Sequence, residues 1–248
     1  MQCKTARMNI AGTITRRIET IEEGIIFSYK DFKPFSDSIE AMAAAFSRLT
    51  AKGIIKRFGK GKYYRPKNGA FGEVPLKENQ VLESILKKNG NWTGYLTGPV
   101  MYNKMGLTTQ IANEYIIAAG EFRKPIQIGH VKARFIKAYC DIEEKNIPLL
   151  QLLDAIKDFR SIPGTEPISV LKLLKIKLKE LSLAEQKKIG RLALNYPPST
   201  RALIGALIEL LNNTSPTEKL YKSLNLLSKY KLGISAEILP NRDKWKIE

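Results

Sequence analysis

The sequence predicts an α+β protein in two parts, and three observations carry that expectation. Its first 70 residues run helix, short strand, short helix, helix and basic β-hairpin. Residues 90–145 mix a short helix with β-like alternation. From Ile147 onward, capped helices follow one another. The expected organisation is therefore a small domain over 1–70 and a larger mixed α/β domain over 76–248, helical over about 147–248.

Each element follows from local chemistry. Met8, Ala11, Ile14, Ile18 and Ile21 keep to one face, which predicts a helix over 5–21, ended by Glu22-Glu23-Gly24. "IIFS" is strand-like, and "SYKDFKPF" supplies about two helical turns before Pro34 interrupts them. Ser36 or Ser38 offers an N-cap for a helix over about 38–52, with Gly53 as its stop. "GIIKRFGKGKYYRP" places two strand-like segments around the turn Gly59-Lys60-Gly61. "PKNGAFGEVP", 66–75, is expected to be a linker, followed by a helix over 78–88 that ends at Asn89-Gly90. A short helix near 97–105 should stop at Gly106, with strands at "YIIAA" and within "PIQIGHVKARFIKAY". Farther on, Ser182-Leu183-Ala184-Glu185 and Ser215-Pro216-Thr217-Glu218 have the capping-box pattern, and Gly233 is expected to close the last long helix. No internal repeat of the solenoid kind is present.

Charge narrows the function. The 248 residues carry 41 Lys+Arg against 24 Asp+Glu, a net charge of +17, and the isoelectric point is about 9.8. Such a field favours polyanions. No apolar run is long enough to predict a membrane span, and no signal-peptide core opens the chain. Cys3 and Cys140 have neither metal nor disulfide-scaffold spacing, so the expected compartment is the cytoplasm and no membrane partner is expected. His130 is the only histidine, which excludes a multi-histidine metal site.

The charge is most concentrated over residues 47–67, "SRLTAKGIIKRFGKGKYYRPK". This stretch holds Arg48, Lys52, Lys56, Arg57, Lys60, Lys62, Arg65 and Lys67 and no acid. A basic run alone is usually a solvated face, but this one coincides with a helix end and a hairpin. The element order over 1–70 is that of a winged helix-turn-helix. In the 38–52 helix, Ile39, Met42, Ala43, Phe46 and Leu49 form an apolar stripe. Ala41, Ala44, Ala45, Arg48 and Lys52 are expected on the opposite face, small enough to enter a DNA groove. The candidate contacts to double-stranded DNA are Ser38, Ala44, Ser47, Arg48, Lys52, Lys56, Arg57, Lys60, Lys62 and Tyr63. Most of the cations would neutralise phosphates.

"AFSRLTAKGIIKRFGKGKYYRP" and "GYLTGPVMYNKMGLTTQIANEYIIAA" together resemble the AbiEi family of antitoxins from type IV toxin–antitoxin systems. The resemblance covers about residues 8–160 and extends more loosely to 212. It implies a winged helix that binds inverted repeats in its own promoter and represses the operon. It also implies a larger part that counteracts a nucleotidyltransferase-like toxin without a tight complex. Matched residue by residue, the DNA role falls on Ser47, Arg48, Arg57, Lys60 and Lys62. No catalytic residue is implied. An alternative is a stand-alone winged-helix transcription factor whose larger domain binds a ligand or protein.

Motifs for an enzyme are absent: there is no P-loop, Rossmann glycine fingerprint, His-Glu-x-x-His or Gly-x-Ser-x-Gly. Asp141-Ile142-Glu143 has nucleotidyltransferase spacing but no Gly-Ser loop upstream, and is read as surface carboxylates. No catalytic residue, metal or cofactor is expected. Within "GYLTGPVMYNKMGLTTQ", Tyr95, Met101 and Leu107 are expected in the core, while Gly94, Gly98 and Gly106 serve turns and a helix end. Thr108, Thr109 and Gln110 are expected outside as partner-contact candidates. In "VLKLLKIKLKEL", Leu171, Leu174 and Leu178 share one face and Lys172, Lys175 and Lys179 lie nearer the other. An amphipathic core helix with a solvated basic face accounts for this; a membrane-surface helix or a second nucleic-acid surface are the other readings. Residues 1–70 have 14 basic and 6 acidic side chains, net +8, leaving +9 for the remainder.

Overall fold

The computed structural model describes residues 10–35, 38–59, 61–88, 90–211, 217–225 and 227–248. It combines helices with small sheets, an α+β fold as the sequence predicts. The chain divides into two compact units. One runs to Ile85 and includes Ile128–Val131; the other holds Leu86–Gln127 and Lys132–Glu248.

The first unit begins with α1 (Ile10–Glu19), β1 (Ile26–Ser28) and a 3-10 helix (Tyr29–Phe35). Next come α2 (Ile39–Ala51), β2 (Lys56–Gly59) and β3 (Lys62–Tyr64). Its remaining elements are β4 (Lys67–Gly69), β5 (Gly72–Val74) and α3 (Glu78–Leu86), which runs to the unit boundary. β1, β3 and β2 form one antiparallel sheet in that order, with Phe27 opposite Tyr63. The core gathers around Phe46 of α2. Its ring lies 5.3 Å from Phe32, 4.9 Å from Tyr63, 4.8 Å from Tyr29 and 5.9 Å from Phe27. Most of these pairs are edge-to-face, the geometry that ring quadrupoles favour. Ile14 and Ile18, one helical turn apart on α1, are fully buried in the same cluster.

Ser38 is the N-cap of α2, its Oγ accepting from Ala41 N at 3.2 Å; the other candidate, Ser36, lies outside the described residues. Two expectations for this helix are corrected. Ile39 is 67% exposed and leaves the core stripe, because it occupies the first turn, next to the N-cap. Ala45 is buried, being three residues after Met42 and four before Leu49 and so in their stripe. The segment 66–75 is also not a plain linker. It forms the β4–β5 hairpin, with Lys67 opposite Val74 and Gly69 opposite Gly72.

The second unit starts with β6 (Lys87–Lys88) paired to β7 (Asn91–Trp92). It continues through β8 (Gly94–Thr97), α4 (Pro99–Lys104) and β9 (Tyr115–Ala119). Most of β10 (Ile126–Ile128) and β11 (Val131–Lys137) follows, their end residues Ile128 and Val131 being counted in the first unit. The sheet order is β10-β11-β9-β8, with β9 parallel to β11 and antiparallel to β8. Gly94 sits inside β8 rather than in a turn: a Cβ there would come within 2.8 Å of Ile117 Cγ2. Gly98 (φ 70°) opens α4 and Gly106 (φ 73°) follows its end.

Helices α5 (Ile147–Asp158), α6 (Pro167–Glu180), α7 (Leu183–Ala193), α8 (Pro198–Glu209) and α9 (Thr217–Lys222) complete it. α5 and α8 are apolar on nearly every side because they lie in the middle of the core. α6 buries Val170, Leu171, Leu174 and Leu178 and leaves Lys172 and Lys179 exposed, with Lys175 half-buried. The capping box at Ser182 and Glu185 forms as expected; Ser215 and Pro216 lie outside the described residues. Gly233 does not close a helix. It lies well beyond α9, and its N–H donates to Glu248 O at 2.7 Å.

Candidate nucleic-acid interface

The exposed face of α2 is set by the same period that buries Met42, Ala45, Phe46 and Leu49. Glu40, Ala44, Ser47, Arg48 and Ala51 come out together, with Lys52 at the C-cap. This face is low in relief at Ala44, Ser47 and Ala51, and Arg48 rises from its last turn. Glu40 and Ala51 were not singled out from sequence, although the spacing to Ala44 and Ser47 predicts both.

The structure describes seven of the eight cations of 47–67 and separates them by their partners. Arg48, Lys52, Arg57 and Lys67 are exposed. Of the other described cations, Arg65 and Lys62 are half-buried and bonded to backbone carbonyls, and Lys56 is exposed but ion-paired. Arg65 donates to the carbonyls of Glu19 at 2.7 Å and Ile21 at 2.6 Å, satisfying orphan acceptors at the end of α1. Lys62 donates to the backbone carbonyl of Ser84. Lys56 pairs with Glu73 of β5, and Tyr64, directly opposite Lys56, donates to the same carboxylate at 2.9 Å. The expectation that Lys62 stands open on the hairpin is corrected by its bond to Ser84, whereas Lys56 stays exposed beside Glu73. Lys60 lies outside the described residues.

The Glu73 brace has its own electrostatics. Hydrogen bonds from Lys56 and Tyr64 hold the Glu73 carboxyl below its ordinary range, while burial and Glu73 push Tyr64 up to about 12. A depressed carboxyl stabilises the fold above its unfolded value, and that contribution is lost as pH falls through the folded value.

Tyr63 is a second correction. It is 8% exposed and turned into the aromatic core, its hydroxyl 2.8 Å from that of Tyr29. Side chains alternate along a strand, and Tyr63 shares the inward side with Phe27, its partner across the sheet. Burial, then the Tyr63 hydroxyl, pushes Tyr29 up to about 12. Arg57, paired with Tyr63 across β2–β3, remains exposed at the edge of this cluster.

Of the three partner-contact candidates, Thr109 and Gln110 are exposed. Thr108 is buried, donating to Pro163 O and accepting from Gln110 N at 3.1 Å, which corrects its expected exposure. Tyr95 and Leu107 are core residues as expected, and Met101 is half-buried. Asp141 and Glu143 are exposed. Among the described residues, no group of three or more His, Cys, Asp or Glu is placed to hold a metal ion. Nor is any helix among them long and apolar enough to cross a membrane.

One polar cluster escaped sequence reasoning. Asp154 of α5 is 2% exposed and accepts from Tyr95 OH at 3.0 Å, Thr97 Oγ1 at 2.7 Å and Tyr196 OH at 2.9 Å. It joins β8, α5 and the segment after α7 around one carboxylate.

Fold and surface together define an α+β chain with a basic helix-and-hairpin face on its first unit. By sequence, residues 13–163 match DUF6088, a family of unknown function, and the chain belongs to that family. Among solved structures, it is similar to the RV2827C protein from Mycobacterium tuberculosis. The two share 13% identity over 89% of this chain and 82% of that chain, with a TM-score of 0.47. No curated protein matches the chain.

Proposed function

We propose that residues 1–70 act as a winged helix-turn-helix and that the chain is a DNA-binding transcriptional autorepressor. The observation that carries this reading is the outer face of α2: Ala44, Ser47 and Ala51 are small and exposed, with Arg48 and Lys52 beside them. A helix with that relief can enter a major groove, where Arg48 reaches a guanine edge or a phosphate. The β2–β3 hairpin, with Arg57 exposed, serves as the wing along the phosphate backbone.

In this reading the chain is a cytoplasmic protein and not an enzyme. Its second role is that of an antitoxin, counteracting a nucleotidyltransferase-like toxin by function rather than by tight complex. Support for that role is the resemblance of Gly94–Ala119, behind such a DNA-binding domain, to AbiEi-type antitoxins.

The test is a mobility shift on the DNA upstream of the protein's own gene, with scrambled DNA as competitor. Specific retention and a footprint over repeated half-sites are expected. Equal retention of both DNAs would overturn the operator-binding reading. Within that assay, Arg48→Ala should weaken specific binding by about 1–3 kcal/mol and relax discrimination at one base position. Wild-type affinity in that variant would remove α2 from the recognition surface.

A further inference from the structure

The second unit carries a feature that operator binding does not use. Two adjoining hollows, of about 240 Å³ and about 360 Å³, open on either side of Arg123 and share Gly120 and Glu121 with it. Trp92 lines the first; Phe122 and Phe135 line the second. Phe122 is 91% exposed, a large apolar ring standing in solvent. Arg123 is held between them, its guanidinium donating to Thr93 O at 3.4 Å and lying 5.5 Å from the centre of the Phe135 ring. Lys87 places its ammonium 4.5 Å from the centre of the Trp92 ring. Lys88 borders the first hollow and Lys137 the second.

We infer that this surface binds single-stranded nucleic acid, with successive bases entering the two hollows and stacking on Trp92 and Phe122. The chemistry argues for that ligand on two counts. One exposed ring, Phe122, and the half-buried Trp92, interleaved with cations, suit a strand whose base faces and phosphates are both presented, and a duplex hides its base faces in its own stack. The charge is complementary too, since the chain beyond residue 70 is net +9. Glu121 and Asp141, which also line the hollows, oppose phosphate; they suit N–H donors on base edges, such as the imide N–H of uracil, to which carboxylates are acceptors. The site lies wholly in the second unit, so it stands independently of the operator-binding proposal.

The experiment is fluorescence anisotropy with the full chain, a labelled eight-nucleotide oligouridylate and a duplex of equal length. The wild type should bind the oligouridylate. Phe122→Ala, at an exposed position, should weaken that binding by about 5- to 100-fold, the range for loss of one stacked base. The same variant should leave duplex affinity unchanged, and Arg48→Ala should leave oligouridylate affinity unchanged. The inference is overturned by failure of the wild type to bind the single strand or by undiminished binding in Phe122→Ala. It is equally overturned if Phe122→Ala weakens the duplex to the same extent, or if Arg48→Ala abolishes single-strand binding.

Discussion

Asp154→Ala should lower the stability of the second unit by about 3–5 kcal/mol, read as a shift of its urea midpoint. The carboxylate is the acceptor for Tyr95 and Thr97 on one oxygen and Tyr196 on the other. Without it, Tyr196 retains the Leu150 carbonyl at 3.3 Å, whereas Tyr95 and Thr97 lose the acceptor. Each orphaned buried hydroxyl costs about 1–3 kcal/mol, and the void adds to that. Asp154→Asn, which keeps the shape and one acceptor oxygen, should cost much less. An Asn variant as damaged as the Ala variant would contradict the hydrogen-bond account.

The pair also has a pH signature. Burial pushes the Asp154 carboxyl above its ordinary value, against the opposing pull of the hydroxyls from Thr97, Tyr196 and Tyr95. A raised carboxyl contributes stability that is complete below the unfolded value, about 3.9, and is lost as pH rises through the folded value. The advantage of wild type over Asp154→Asn should therefore grow as pH falls from neutrality toward about 4. A gap that shrinks in acid would show that the hydroxyls outweigh burial.

Trp245→Ala should cost about 3–5 kcal/mol. The indole is fully buried, packs edge-on to Tyr221 at 5.6 Å, and donates from Nε1 to Glu209 Oε2 at 2.7 Å. Its ring lies so close over Gly205 of α8 that a Cβ there would be 2.2 Å from two ring carbons. Gly205→Ala in the wild type should therefore destabilise by about 1–3 kcal/mol through overpacking. With Trp245→Ala already in place, the same change should become neutral or stabilising, since alanine is the better helix former by about 1 kcal/mol. Calorimetric melting of the four proteins tests the reversal; purely additive effects would contradict it.

Local features were legible in the sequence where local chemistry determines them. Ser38 caps α2, "YIIAA" is β9, and Ser182 with Glu185 forms its capping box. The outer face of α2 was partly legible: Ala44 and Arg48 came out, while Ala45 turned inward because Met42 and Leu49 share its stripe. Partners distant in sequence were not legible. A run of cations gives their number but not their pairings, so Glu73 on Lys56 and the carbonyl of Ser84 on Lys62 were unforeseen. Glu73 could take Lys56 only because 66–75 folds back as a hairpin, which its glycines and Pro75 disguised as a linker. Tyr63 was misplaced for a related reason: adjacent tyrosines must face opposite ways on a strand, and only the sheet decides which is inside. Asp154 had no local signature at all, because its donors lie 42 to 59 residues away.

In the proposed function, α2 and the β2–β3 hairpin hold duplex DNA through the cations that the fold leaves exposed. The salt dependence of operator binding tests it most directly, measured for wild type and for Lys52→Ala/Arg57→Ala. Both residues are exposed, so the variant should keep its fold. Each lost phosphate contact removes about 0.9 from the slope of log K against log salt, so the slope should become shallower by about two. A folded variant with wild-type slope and affinity would contradict the account and move the nucleic-acid surface off this face.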